Sequence, residues 1–336
     1  MANKLLSVTV AAFNAEKYLR EVLDSFVNLS RIDEVEVFVV DDGGTDSSLD
    51  IAKEYESRFP GVFIPVHKEN GGWGSTVNYS MKHASGKYFK ILDGDDYFHA
   101  EHLEEFIEYL SKMDADVIIS PYTSFRDGTD NELSIAGSYD PAYKVGEIYP
   151  VAKIDKDFTL AMHAITVKTS LLSGFSLKEK VVYRDMEFTA NVLLKADSYC
   201  FFDKYIYCYR LGRDGQSVSR ESYIKHMDEH GDVVLAILQA SKKTDDPAKI
   251  RLLYKEAVGA YIQQYRIYFY PEPKKYIKKK LQKFNGTVQE KFPEFYRETK
   301  LPKPYSLFQK GNFRFYFWLA SAVTLFRKIK KLICRG

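Results

Sequence analysis

A chain of 336 residues has room for one large domain with an appendage or for two ordinary domains. At 45% apolar and 28% charged it can bury a sizeable core, which excludes a disordered chain. The net charge of +2 hides a split: residues 271–336 hold 17 Lys/Arg and 4 Asp/Glu, leaving 31 against 42 for residues 1–270, so a +13 tail follows a −11 body. That excludes a uniformly basic nucleic-acid binder and directs the tail toward an anionic surface.

In chain order, Leu5–Ala12 is a β-branched run that predicts a buried strand. Tyr18, Leu19, Val22, Leu23, Phe26 and Val27 recur at helical spacing and predict a helix over 16–29. Val35–Val40 is a second strand, ending in Asp41-Asp42-Gly43-Gly44, and Asp46 or Ser47 caps the helix that follows. Val62–Val66 is a third strand. After the glycine-rich Gly71–Gly74 comes a helix to about His83, then a strand over Lys87–Leu92 that stops at Asp93-Gly94-Asp95-Asp96. Leu103, Phe106, Ile107 and Leu110 mark the next helix, and Asp116–Ser120 closes the series.

Strands alternating with helices predict an α/β fold, with a mostly parallel sheet sandwiched by helices. Ligands of such sheets sit at the carboxyl ends of the strands, where both aspartate clusters fall. Residues 121–220 read as mixed, with one helix near Met186–Lys195. Beyond them the chain reads as helical, with Asp246-Pro247 opening a long helix to about Tyr270.

Cys200, Cys208 and Cys334 form no metal-ligand spacing and no disulfide framework. Met1–Val10 lacks the features of a signal peptide, and no run reaches the roughly 18–20 apolar residues of a spanning helix. A cytoplasmic location is expected, peripheral on the inner face of the membrane. Aromatic Phe315, Phe317 and Trp318, followed by Arg327, Lys328, Lys330, Lys331 and Arg335, suit an anionic leaflet, or a helix packed on the protein with a solvated basic end.

Three carboxylates in Asp93-Gly94-Asp95-Asp96 repel one another unless a cation sits among them, and Mn²⁺ or Mg²⁺ with a diphosphate meets that need. The bland alternative is an acidic turn with Asp96 capping a helix. Asp41-Asp42-Gly43-Gly44-Thr45-Asp46 lets a backbone approach a ligand closely, or is an ordinary strand-to-helix turn. No dinucleotide fingerprint or P-loop is present.

The ordered set Ala11-Ala12-Phe13-Asn14, Val39-Val40-Asp41-Asp42-Gly43-Gly44-Thr45-Asp46, Glu69-Asn70-Gly71-Gly72 with Asn78, and Leu92-Asp93-Gly94-Asp95-Asp96 resembles the family-2 glycosyltransferases of the GT-A fold. The resemblance covers roughly residues 3–220, with Ala11 standing where a proline is common. It implies a nucleotide-diphosphate sugar, most simply a UDP-sugar, as donor, and a glycan or lipid-linked acceptor. Carried over by position, Ala11 and Asp42 line a nucleobase pocket, Asp95 meets the ribose, and Asp96, with Asp95, holds the metal. Phe13, Asn14, Asn70, Gly71 and Asp93 complete the donor site. The catalytic base matches Asp185 in Tyr183-Arg184-Asp185-Met186, with Arg184 in place of an acid; without the resemblance Asp185 reads as a helix N-terminal acid.

In the same comparison, Tyr209–Ser219 looks like a loop closing over the donor, with Arg213, Gln216 and Ser217 as contacts. His163, between apolar neighbours, reads first as a core histidine and second as a site residue. The expected division is a catalytic domain over 1–220 (donor half 1–120, acceptor half 121–220) and a helical region over 221–336. The function expected is an inverting, metal-dependent transferase of cell-surface polysaccharide synthesis. The other readings are a non-catalytic nucleotide-sugar-binding or membrane-surface module, and a nucleotidyltransferase, which Ala11–Lys17 does not equip with a phosphate loop.

Overall fold

The computed structural model describes residues 4–129, 132–136, 142–155, 158–213 and 216–333. The first half runs β1 (Leu6–Ala12), α1 (Glu16–Asp24), β2 (Val35–Asp41), α2 (Ser48–Arg58), β3 (Phe63–His67), α3 (Trp73–His83), β4 (Tyr88–Asp93), β5 (Tyr97–Phe98), α4 (Ala100–Lys112) and β6 (Val117–Ile119). It continues through β7 (Tyr122–Arg126), β8 (Glu132–Ala136), β9 (Tyr149–Pro150), β10 (Ile165–Lys168), α5 (Arg184–Lys195), β11 (Ser198–Phe201) and β12 (Tyr207–Leu211). Helices then take over: α6 (Arg220–Lys225), α7 (Met227–Ala240), α8 (Pro247–Ile267), α9 (Lys275–Lys291), α10 (Pro293–Glu298), α11 (Tyr305–Gln309) and α12 (Tyr316–Ile333).

The main sheet has the order β3-β2-β1-β4-β10-β6-β11-β9. Its first four strands are parallel, with Val8 beside Val37 and Lys90. β10 then enters antiparallel between β4 and β6, and β9 closes the far edge antiparallel. A second sheet, β5-β12-β7-β8, was not expected from the sequence; its strands are short and its partners lie far apart in the chain.

Alternation across the sheet sorts the core into two layers. Leu6, Val8, Val10, Val37, Val39, Tyr88 and Leu92 face the layer that includes α1 and α4. Phe89, Ile91, Val117, Ile119 and Val167 face the opposite layer, which continues without a break from Val77 through α5, α7 and α8 to Ala320. The C-terminal helices therefore share one core with the sheet.

α1 stops at Asp24 rather than Leu29: Ser25 Oγ bonds to the Val22 carbonyl, and Phe26 and Leu29 stay buried outside the helix. The Asp46 carboxylate caps α2, accepting from the Ser48 N–H at 3.0 Å. At α8, Asp246 accepts from the Ala248 N–H with Pro247 in the first turn, as expected, and the helix ends at Ile267. α4 begins at Ala100 with His99 as its cap, so Asp96 is not a capping residue.

Among the described residues no helix is long and apolar enough to cross a membrane. In α12, Tyr316 and Ala320 pack on the bundle, with Tyr316 Oη bonded to the Tyr268 carbonyl, while Trp318 is 71% exposed. Cys334 and Arg335, and the side chains of 326–333, lie outside the described residues.

Candidate active site

The carboxyl ends of β1, β2 and β4 open into one cavity of about 790 Å³. Gly94 is required there by close approach: a Cβ at this position would stand 2.6 Å from the Ala11 carbonyl oxygen. Ala11, Phe13 and Asn14 line the cavity, with Phe13 56% exposed. Asn14 adopts a left-handed φ of 50° and its Oδ1 accepts from the Thr45 N–H, tying the end of β1 to the turn after β2.

Asp42 also lines the cavity, but its carboxylate is heavily engaged. Oδ1 accepts from Lys68 Nζ at 2.8 Å, the Gly71 N–H at 2.9 Å and Ser75 Oγ at 3.1 Å, and Oδ2 from the Gly72 N–H at 2.7 Å. Asn70 Nδ2 bonds the Asp42 carbonyl. Asn70 and Gly71 thus fasten Asp42 and the start of α3 and do not line the cavity wall themselves.

Beside it lie the acids that follow β4. Asp93 accepts from Trp73 Nε1 at 2.8 Å. Burial, then repulsion by Asp95, lifts Asp93 to about 7. Asp96 is buried, accepting from Tyr207 Oη at 2.5 Å and the Arg210 N–H at 2.7 Å, and burial with the neighbouring Asp95 and Asp93 raises it well above the usual carboxylate range. Asp95 instead pairs with Arg213 Nε. Arg210 props this turn from behind, bonding the Asp95 carbonyl, Asp127 and Glu21.

Asp93, Asp96 and His163 bring one ligand atom each within 4.8 Å of one another. Burial, aided by the Lys90 cation, holds His163 down to about 3, so its ring is neutral and has a lone pair to give. The two carboxylates suit Mn²⁺ or Mg²⁺ and the neutral imidazole favours the transition ion of the two, and the charge of either would also relieve the repulsion among the acids. Asp95 is not in this group. Lys90, on β4, fixes His163 from the rear: its Nζ donates to the His163 carbonyl at 2.9 Å and the Ile165 carbonyl at 3.1 Å.

Across the cavity, Tyr183 precedes α5 with φ 63°, a left-handed conformation that a non-glycine residue holds only at a cost of about 1–3 kcal/mol. Its hydroxyl bonds the Ser217 carbonyl at 3.0 Å. This turn sets Asp185 in the first turn of α5, on the cavity wall, where burial raises its pKa against the pull of the backbone N–H groups of Met186 and of Asp185 itself. Arg184 is 4% exposed and bonds Glu187 at 2.8 Å, while its Nε and Nη2 are buried without a hydrogen-bond partner.

Arg213 and Ser217 line the cavity; Gln216 does not. Gln216 Nε2 donates to the Arg210 carbonyl and its Oε1 accepts from the Gly212 N–H, so the side chain braces its own loop. Residues 214 and 215 of that loop lie outside the described residues. Several contributors were missed in the sequence: Lys90, Tyr207, and the Tyr223, His230, Glu256 and Gln263 wall from the C-terminal helices. The one cue available was Lys90, a charge inside an otherwise apolar strand.

A poly(ribitol-phosphate) beta-glucosyltransferase of Bacillus spizizenii is 28% identical over 74% of this chain and 39% of its own. The putative glycosyltransferase EpsH of Bacillus subtilis is 32% identical over 41% and 40%, and the minor teichoic acid biosynthesis protein GgaB of the same species 25% identical over 63% and 23%. The chain thus spans two fifths or less of the length of these relatives. Among solved structures, S. aureus TarS 1-349 in complex with UDP superposes with a TM-score of 0.64 at 19% identity, covering 99% of this chain and 92% of that one. The mannosyltransferase PcManGT from Pyrobaculum calidifontis, in complex with GDP-Man and Mn²⁺, gives 0.54 at 14% identity over 95% and 86%. Residues 7–166, just under half of the chain, match the family described as Glycosyl transferase family 2, and the chain as a whole shares the fold of TarS.

Proposed function

We propose that the chain transfers a sugar from a nucleotide-diphosphate sugar, a UDP-sugar above all, to a hydroxyl of a glycan or lipid-linked acceptor in cell-surface polymer synthesis, with inversion. The observation that carries this reading is Asp185, half-buried and raised in pKa, facing the same cavity as the Asp93/Asp96/His163 group. The relatives' names in teichoic acid synthesis and the UDP and UDP-GlcNAc complexes of TarS support the donor and polymer class.

A divalent cation held by Asp93, Asp96 and His163 would stabilise the charge that grows on the departing diphosphate. Arg213, paired with Asp95, stands ready to add a guanidinium to the same oxygens. Asp185 takes the proton of the acceptor hydroxyl as that oxygen bonds to the anomeric carbon and the carbon–diphosphate bond breaks. Its raised pKa makes it a better base than an exposed aspartate. One displacement with one carboxylate inverts the anomeric configuration. Exposed Trp318 and Leu325 on α12, with Phe315 just before it, suit attachment at the cytoplasmic face of the membrane, beside a lipid-linked acceptor.

Asp185→Asn keeps the shape and removes the base. Sugar transfer is expected to fall by 10²-fold or more, while the thermal shift produced by UDP-sugar and Mn²⁺ stays as in the parent. Transfer at the parent's rate would refute the assignment.

A further inference from the structure

The wall facing the acids comes from helices outside the nucleotide-binding sheet. α8 presents Glu256, Gly259, Ala260 and Gln263 to the cavity, the i, i+3, i+4, i+7 set of a single helix face. The two small residues leave a groove between a carboxylate and an amide. Glu256 Oε2 accepts from the Leu160 N–H at 3.3 Å, and Oε1 has no protein partner among the described residues. Gln263 Nε2 donates to Tyr270 Oη at 3.1 Å, which leaves its Oε1 as an open acceptor among the described residues.

Next to this groove Tyr183 and Tyr223 stack at 5.2 Å with an interplanar angle of 11°, and His230 meets Tyr183 edge-on at 5.2 Å and 70°. Gln264 donates Nε2 to the Met227 carbonyl, so its Oε1 must accept from His230 Nδ1. Burial holds His230 near 4, which keeps that ring neutral. Such a wall of aromatic faces and open acceptors suits a polyhydroxylated molecule, apolar on its C–H face and rich in donors on its edge.

Charge narrows the class further. Asp185 and Glu256 are close enough that Asp185, after burial, contributes to lifting Glu256 to about 7. Among the described residues the two arginines that line the cavity are each bonded to another acid: Arg184 to Glu187, with its remaining nitrogens shut from solvent, and Arg213 across the cavity to Asp95. A phosphate placed here would meet carboxylates, whereas hydroxyl donors would find acceptors.

We propose that Glu256 and Gln263 of α8 form the acceptor subsite, accepting hydrogen bonds from a neutral sugar or alditol unit whose reacting hydroxyl lies at Asp185. This rests on the transferase reading above and names the substrate class of that site. A phosphate-bearing polymer would enter with its neutral polyol unit in the groove and its phosphates outside.

The test is saturation-transfer NMR of the full chain with UDP and Mn²⁺, using ribitol, methyl β-glucoside and methyl N-acetyl-β-glucosaminide beside ribitol 5-phosphate and glucose 6-phosphate. The parent is expected to bind at least one neutral compound more tightly than its phosphate. Glu256→Gln, nearly isosteric, should weaken that binding by about tenfold or more when it is measured well above pH 7, where the carboxyl is ionised and a hydrogen bond to a charged acceptor is lost. Gln263→Ala should weaken it by a few-fold. The melting shift produced by UDP in both variants should match the parent. Binding of the phosphates alone, of none of the panel, or equally by the parent and Glu256→Gln would overturn the subsite. So would loss of the UDP shift together with acceptor binding, which would make Glu256 structural. A parent that responds to no nucleotide or nucleotide sugar would instead refute the transferase reading itself.

Discussion

Asp42→Asn separates two jobs that one carboxylate has in this fold. Position in the family pattern assigns Asp42 to the nucleobase, yet the side chain is 3% exposed and already receives four donors from the protein. An amide can present only one oxygen. The least costly orientation keeps that oxygen toward Lys68, Gly71 and Ser75 and turns the NH₂ against the Gly72 N–H, so two donors face each other. Losing one charge-assisted bond and stranding a buried donor costs about 2–4 kcal/mol. Unfolding entropy of about 2.1 cal/mol/K per residue amounts to about 0.7 kcal/mol/K for a two-state chain of 336 residues, so the expected fall in Tm is about 3–6 °C. Scanning calorimetry without any nucleotide reads this directly. UDP affinity should fall as well, because the turn at Gly71-Gly72 loses its anchor. An unchanged Tm without ligand, with UDP binding lost, would refute the structural role and leave Asp42 as a nucleobase contact alone.

Two further predictions concern the metal group and the tail. Asp93 must shed its proton to ligate a cation, and since burial raises it to about 7, Mn²⁺ affinity read by water-proton relaxation should climb as pH rises through 7, by up to about tenfold per unit below it. His163→Gln should lower that affinity by 10-fold or more; a flat pH profile and an unaffected variant would rule out this group as the ion's seat. Trp318 is exposed and is one of two tryptophans, so its emission should shift to the blue with vesicles containing phosphatidylglycerol but not with phosphatidylcholine alone, and the shift should vanish in Trp318→Ser. The same spectrum with both vesicles would show a helix that serves only the protein.

What was legible in the sequence divides along the range of the contacts. β1, β2 and β4 are each six or seven residues, mostly apolar and buried almost throughout, because a parallel strand covered on both faces has no solvent side to encode. Their ends, where the apolar run breaks into aspartates, were therefore visible too. Apolar spacing reports burial rather than helix, which is why Phe26 and Leu29 extended α1 on paper and not in the fold. The second sheet pairs Tyr97 with Cys208 and Tyr122 with Tyr207, contacts that no local window contains. His163 joins Asp93 and Asp96 because β10 enters antiparallel beside β4, a topological event with no periodic signature.

The acidic excess of the body has a different meaning once its partners are known. Asp42 is spent on the Gly71-Gly72 turn, and Asp127 and Glu21 hold Arg210, which in turn props the Asp95 carbonyl. The acids that remain turned toward the cavity, Asp93, Asp185 and Glu256, are each raised in pKa chiefly by burial, and among the described residues none has a basic side chain bonded to it. Carboxylates left in that state in a stable core are relieved by a proton, a bound cation or a hydroxyl donor. The charge imbalance is thus resolved by place in the fold: acids paired with basic groups or backbone donors build the site, and acids without a basic partner mark where cation and acceptor are expected to enter.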